Sequence, residues 1–384
     1  MSKKYPEKGF IFWPVGNGDS TTILVNKKKI IQLDINHTSA SDKDDDPRFP
    51  VVDELIKILP KIDGTPYLST FALSHPDEDH CKGFNYLMEK AIIGELWFTP
   101  RIFREYDKDL CEDALAFKEE AERRIKKNIK SPHNIVSGDR IRLIGYDDLL
   151  KEEEYKGFSS SLLTVPGNEI TEIDGEDCAD SFRAFVHAPF KDDSSGERND
   201  TSLGFQIRLL NDGVEANAVL LGDLCYPTVS RIFTQSEDSD LNWNILLAPH
   251  HCSKSVMYWK EEGEKEEKLK LDLLDKIEEV ALSPGYIIAS SNPIPGSNKE
   301  GDNPPHAKAK NRYQEIVPDQ FICTMEHPNK ETPVPIIFSV DNDGLIYNEE
   351  EKEVEEEKSM KSVVSEARGY NEPSKQPVGF GING

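Results

Sequence analysis

Three things are missing from this 384-residue sequence, and each narrows what the protein can be. No uncharged apolar run approaches the ~20 residues needed to cross a bilayer. The N-terminal stretch "MSKKYPEKGF" lacks the apolar core of a secretory signal. The six cysteines, at 81, 111, 178, 225, 252 and 323, are scattered and form no C-x-x-C pair, which points to reduced thiols. These absences predict a soluble cytoplasmic protein with no membrane partner. Positive charge is also scarce: 46 Lys and Arg face 71 Asp and Glu, for a net charge of −25. Such a surface repels nucleic acid over most of its area. A polyanionic substrate would need a local basic patch or bound cations.

Hydrophobic residues make up 37% of the chain and charged residues 30%, enough for a sizeable core under a very polar surface. Short segments rich in β-branched and aromatic residues open the chain, "GFIFWPV", "STTILV" and "KIIQLDI", with turn chemistry between them. The amphipathic "VVDELIKILPKI" predicts a helix; "STFALS" and "GELWFTP" predict buried strands. Further strands are expected at "DRIRLIGY", "SFRAFVHAP", "TSLGFQIRLL", "NAVLLGD", "NILLAPHH", "GYIIAS" and "PIIFSV", with charged helical insertions near 104–130 and 257–278. Many strands, a helix, many strands and a helix again predict two sheets packed face to face with helices outside. One folded domain is expected over 1–347, followed at 348–384 by an acidic, then Gly- and Pro-rich tail whose composition predicts disorder.

The chemistry concentrates at strand ends. "HPDEDH" places His75, Asp77, Asp79 and His80 within six residues, directly after a strand. In one tight turn they can converge as two pairs, each holding a cation; imidazole suits borderline metals and carboxylate harder ones. Single residues of this kind are usually caps or loop residues, but four at this spacing point to metal. Downstream, Asp223 follows the strand in "VLLGD", His250 and His251 follow the strand in "ILLAPHH", and Asn199 and Asp200 precede "TSLGFQI". Polar residues at several strand ends predict one site at the edge of a sheet.

In that order, "HPDEDH", "LGD" and "PHHCSKS" resemble the metallo-β-lactamase superfamily. More narrowly they are similar to the metallo-hydrolase domain of ComEC-type DNA-uptake proteins. "VGNGDS" at Val15–Ser20 resembles that group's "VGQGDS", and Asn199–Leu203 its "N-D-x-S-L"; Cys252 stands where its "PHHGSK" has glycine. The similarity extends over about residues 9–340, without a membrane-spanning region. It implies an α/β fold, the four-layered αβ/βα sandwich, carrying two divalent ions, zinc or manganese. His75 and Asp77 would hold one ion, Asp79 and His80 the other, with Asp223 bridging and His250 completing the second position. His251 would lie beside it; Asp79 and His251 are the residues expected to take part in the chemistry. Many members have a histidine where Asn199 stands; His187 either compensates or is a satisfied strand-end histidine. Asp19 would support a ligand through a hydrogen bond rather than simply fill a hairpin turn. Lys254 either offers charge to a phosphate or is solvated. His306, with Lys308, Lys310 and Arg312, either reaches the site rim or starts a solvated helix.

Two nearby cations lower the pKa of a shared water and clamp developing charge, which suits hydrolysis, above all of phosphodiesters. The expected activity is therefore a metal-dependent phosphodiesterase or nuclease acting on nucleic acid or a nucleotide phosphodiester. The alternatives are hydrolysis of a small ester, thioester or lactam, and a metal-binding regulatory module without catalysis.

Overall fold

In the strands of this chain, successive residues enter different cores, and that alternation defines the architecture. The computed structural model describes residues 5–38, 41, 43, 46–297 and 303–348. In β1 (Gly9–Phe12), Phe10 and Phe12 point to one side and Ile11 to the other, and all are buried. β2 (Thr21–Leu24) and β3 (Ile30–Leu33) repeat the pattern, with Ile23 and Ile31 on one side and Leu24 and Ile30 on the other. A sheet with two apolar faces must be covered on both.

The first sheet continues through β4 (Thr65–Leu73), β5 (Ile92–Phe98), β6 (Arg140–Ile144) and β7 (Leu163–Thr164). The second is built from β8 (Glu169–Ile170), β9 (Phe182–Ala188), β10 (Gly204–Asn211), β11 (Val214–Leu220), β12 (Trp243–Leu247), β13 (Ala281–Ala289) and β14 (Phe321–Cys323). β15 (Ile336–Asp341) and β16 (Gly344–Tyr347) return to the first sheet, whose order is β16-β15-β1-β2-β3-β4-β5-β6-β7; the second runs β14-β13-β12-β11-β10-β9-β8. Each sheet is antiparallel on one side and parallel on the other. Pairing becomes parallel from β3 to β7, and again from β11 to β14.

Three cores separate four layers. Phe10, Phe12, Ala72, Phe205, Ile207, Ala218 and Ile245 meet between the sheets. The outer face of the first sheet packs on α1 (Val51–Ile58), α2 (Phe84–Lys90) and α3 (Glu112–Lys130), through Val52, Leu55, Phe84 and Phe117. The outer face of the second packs on α4 (Tyr226–Gln235), α5 (Leu271–Glu279) and α6 (Ala307–Ile316), through Val229, Leu273 and Tyr313. This is the expected four-layered αβ/βα sandwich. No helix among the described residues is long and apolar enough to cross a membrane.

The helical insertions differ in extent from the sequence expectation. Near 104–130 the helix begins only at Glu112, after a short turn at Asp107–Asp109. Near 257–278 only Leu271 onward is helical; Tyr258–Trp259 and Lys268–Leu269 instead pair as a small antiparallel ladder. The "EEGEKEEK" between them has charge but no apolar stripe for a helix to bury, and Gly263 turns it at φ 86°. The expected tail lies outside the described residues apart from Asn348.

Candidate metal centre

The carboxyl ends of the parallel strands are where a doubly covered sheet can open a crevice. β3 delivers Asp34 there, and β4 delivers Ser74 and His75. β11 leads to Asp223, β12 to His250 and His251, and β13 to Ser290. Two glycines allow the approach. A Cβ on Gly222 (φ 50°) would lie 3.1 Å from that of Ser202 and 3.3 Å from that of Ser74. A Cβ on Gly18 (φ 126°) would lie 2.4 Å from the Asp79 carbonyl, so the "VGNGDS" hairpin can rest against the metal-motif turn only with glycine there.

The tautomers follow from the hydrogen bonds. Both the N–H and the hydroxyl of Ser74 donate to Asp34, at 2.7 and 2.6 Å. With its proton committed, Ser74 Oγ accepts from His75 Nδ1 at 3.0 Å. The Nε2 lone pair of His75 is then left buried, without a hydrogen-bond partner, 3.5 Å from Asp77 Oδ2 and 3.9 Å from Asp223 Oδ2. His80 Nδ1 donates to Asp34 Oδ2 at 2.8 Å, and His251 Nδ1 to the Ser290 carbonyl at 3.1 Å. Their Nε2 atoms face each other at 3.3 Å, each 3.3 Å from Asp223 Oδ1; that of His251 is also 3.3 Å from Asp79 Oδ2. Asp19 Oδ1 lies 3.5 Å from His251 Nδ1.

Lone pairs and carboxylates aimed at one another in a buried space repel unless positive charge lies between them. In the ion-free protein protons fill that role. Burial disfavours charge on His80, but Asp223, Asp34 and Asp79 hold its pKa well above the usual range. His251 is raised in the same way by Asp223, Asp19 and Asp79, against burial. Burial pushes Asp223 up, but His251 and His80 hold it well below the carboxylate range. These residues therefore fit a metal. Among the described residues, four sets have ligand atoms within 4.8 Å of one another: His75–His80–Asp223, Asp79–His80–His251, Asp19–Asp223–His251 and Asp19–Asp34–His80.

Within the histidine pair, the structure places His251, not His250, in these buried groups. His250 lies at the rim, its side chain 22% exposed and Nε2 3.7 Å from Asp223 Oδ2. The reason is local: His250, His251 and Cys252 all adopt left-handed conformations, φ 51°, 53° and 65°, and this turn sends the second imidazole inward. Three consecutive non-glycine residues there are strained, at about 1–2 kcal/mol each.

From the "N-D-x-S-L" segment, Ser202 rather than Asn199 reaches the ligands. Its hydroxyl lies 3.3 Å from His75 Nδ1 and accepts from the Asp223 N–H at 3.3 Å. Just before that segment, Arg198 donates to Asp77 Oδ1 at 2.9 Å. His187 does not compensate for the absent histidine, because its two ring nitrogens are engaged by Ser236 Oγ and the Asp240 carbonyl. Lys254 pairs with Glu267 at 2.9 Å, and its N–H donates to His306 Nδ1 at 3.2 Å. The expected basic cluster is matched by acids: Lys308 faces Glu267, Lys310 Glu326 and Arg312 Glu315. Asp34, Ser202, Arg198 and Ser290 were not expected from the sequence. Only Asp34 left a trace, as a carboxylate ending the apolar run of "KIIQLD".

No family model matches the chain, and no curated protein matches it. Among solved structures, it is similar to the metallo-β-lactamase SMB-1 bound to 2-mercaptoethanesulfonate, with a TM-score of 0.31 and 10% identity over 63% of this chain and 78% of that one. It is also similar to a diphosphatase from the PhnP family, with a TM-score of 0.31 and 9% identity over 83% of each chain. Likeness this distant carries no argument about activity.

Proposed function

We propose that this chain is a metal-dependent phosphodiesterase, a nuclease of the metallo-β-lactamase superfamily allied to the ComEC-type hydrolase domain. The observation that supports it most is the set of buried, mutually facing Nε2 and carboxylate atoms of His75, His80, Asp223 and His251 at the edge of the two sheets. Two divalent ions, zinc or manganese, are the proposed cofactors. His80, His251, Asp79 and Asp223 would hold the inner ion; His75, Asp77 and Asp223 would hold the outer. Bound there, such ions supply Lewis acidity, lowering the pKa of water and neutralising charge on phosphoryl oxygens.

The chain's own residues do the rest. Asp79 is 39% exposed in its side chain, against 6% for Asp223, so solvent water reaches its carboxylate, which would orient that water. His250, at the rim beside Asp223, would contact the substrate. Phosphodiesters fit best because their non-bridging oxygens could bind the ions directly, and the ions would offset the repulsion that a net charge of −25 presents to a polyanion. The test is elemental analysis of protein purified without chelator, followed by assays on DNA, RNA, a nucleotide diester, a lactam and a thioester. Two metal equivalents and cleavage of a phosphodiester are expected. Metal-loaded protein that turns over only the lactam or thioester, or nothing, overturns the reading.

A further inference from the structure

Two cysteines 30 positions apart in sequence meet beside the metal-motif turn, their Sγ atoms 3.5 Å apart. Cys81 directly follows His80 and closes the helical turn Glu78–Cys81. Cys111 is the N-cap of α3, and its sulfur accepts from the Ala114 N–H at 3.4 Å. A disulfide needs the sulfurs at about 2.05 Å, so closure asks for roughly 1.5 Å of movement. Cys81 is buried, whereas Cys111 is partly open to solvent. That is the arrangement of an outer thiol that meets an oxidant and an inner thiol that resolves the product. The Cys81 thiol beside Cys111, aided by the Ala114 N–H, holds the Cys111 pKa down to about 7 despite burial.

We propose that Cys81 and Cys111 form a redox modification site, closing to a disulfide under peroxide and reopening under a dithiol reductant, and that closure loosens the metal-motif turn. The Cys111 thiolate attacks a peroxide oxygen and the O–O bond breaks, leaving a sulfenic acid on Cys111 and, after protonation, one water. Cys81 then attacks the Cys111 sulfur; the S–O bond breaks, an S–S bond forms and a second water leaves. Two thiols give up two electrons and the peroxide takes them.

The coupling is local. Cys81 Sγ also lies 3.2 Å from the Asp77 carbonyl, to which its one proton can turn when it is not directed at Cys111. Oxidation removes that donor at the residue between His75 and Asp79, and it draws Cys111 away from the N–H it caps. Asp79 and His80 belong to the same helical turn as Cys81, so the ion they would hold feels the change. The dithiol chemistry is independent of the reaction catalysed; only the coupling requires that this turn hold metal.

The experiment treats metal-loaded full-length protein with a few equivalents of hydrogen peroxide. The protein is expected to lose two of its six thiols, to yield a Cys81–Cys111 cross-linked peptide without reductant, and to recover both thiols with dithiothreitol. Release of its ion to a chromogenic chelator should quicken about tenfold, the size of effect seen when a ligand's support is removed. Cys111→Ser keeps a capping oxygen at the start of α3 and should show a release rate that peroxide does not change. Oxidation of other cysteines while Cys81 and Cys111 stay free overturns the site. A cross-link with unchanged release, or a Cys111→Ser protein as peroxide-sensitive as wild type, overturns the coupling.

Discussion

At the inner position, His80 and His251 each have their far nitrogen braced, by Asp34 at 2.8 Å and by the Ser290 carbonyl at 3.1 Å, and two carboxylates face their Nε2 atoms. At the outer position a single histidine, His75, is braced by the hydroxyls of Ser74 and Ser202, and its neighbouring carboxylate, Asp77, is shared with Arg198. As proposed, the two positions would differ in ligand number, in the strength of support and in competing charge. The inner position therefore has the higher expected affinity, and the outer one is the adjustable partner. The two halves of the chain also contribute differently. The first sheet supplies the contiguous "HPDEDH" turn, whereas the second supplies isolated residues and the strained left-handed run at His250–Cys252.

The comparison breaks most completely at Asp223, the residue common to both positions. Asp223→Ala removes the carboxylate that faces His75, His80, His250 and His251 and leaves their lone pairs to repel. Loss of both ions and a fall in turnover of more than about 100-fold are expected, beyond the range for changes to supporting residues. Elemental analysis checks the first and the assay panel the second. Retention of one full equivalent would show that the positions do not share this residue.

Asp34 separates the positions. Although it lies in the Asp19–Asp34–His80 group, in the proposed arrangement it would act as a support: it holds His80 and, through Ser74, indirectly steadies His75. Burial raises its pKa above the usual carboxylate range, and the adjacent His80 and Ser74 offset that rise only in part. Asp34→Asn tolerates the left-handed backbone at φ 53° but loses the negative acceptor for Nδ1. Inner-ion affinity should drop about 10- to 100-fold, with a smaller loss outside. Equal losses at both positions, measured by competition with a chelating dye, would contradict the division.

How much of this was legible in the sequence depended on distance along the chain. The candidate ligands of "HPDEDH", "LGD" and "PHH" stood out because each sits at the end of an apolar strand, where several polar residues cluster. The supports did not: His80 meets Asp34 across 46 positions, Asp77 meets Arg198 across 121 and His75 meets Ser202 across 127. Nothing local in those residues announces the partner. The choice between His250 and His251 was equally hidden. It depends on a turn with three left-handed residues, a conformation that sequence periodicity does not encode. The sandwich itself was legible because buried strands and amphipathic helices follow one another in the right order. The stretch near 257–278 was not, because charge alone supports a helix or a loop equally well.

Arg198 offers the finest adjustment. Its guanidinium bridges Asp77 Oδ1 and Glu105 Oε2, both at 2.9 Å, and donates to the Asp109 carbonyl at 2.7 Å. Asp77 would rise through burial, yet His75 and Arg198 hold it down to about 2, so it is ionised across the working pH range with or without a metal. Arg198 therefore does not switch Asp77 on; it takes one of its oxygens and sets a positive charge beside the outer position. A unit charge about 5 Å away is worth roughly 3 kcal/mol at an effective dielectric of 20. Partial exposure of the side chain and the facing Glu105 reduce that to about 1.4 kcal/mol, a factor of ten. Arg198→Met keeps an apolar stem for packing, and Arg101 still pairs with Glu105 at 2.5 Å. In a calorimetric titration with manganese, the weaker of two binding steps should tighten about tenfold while the stronger stays in place. If the weaker step loosens instead, Arg198 acts by positioning Asp77 rather than by competing with the ion.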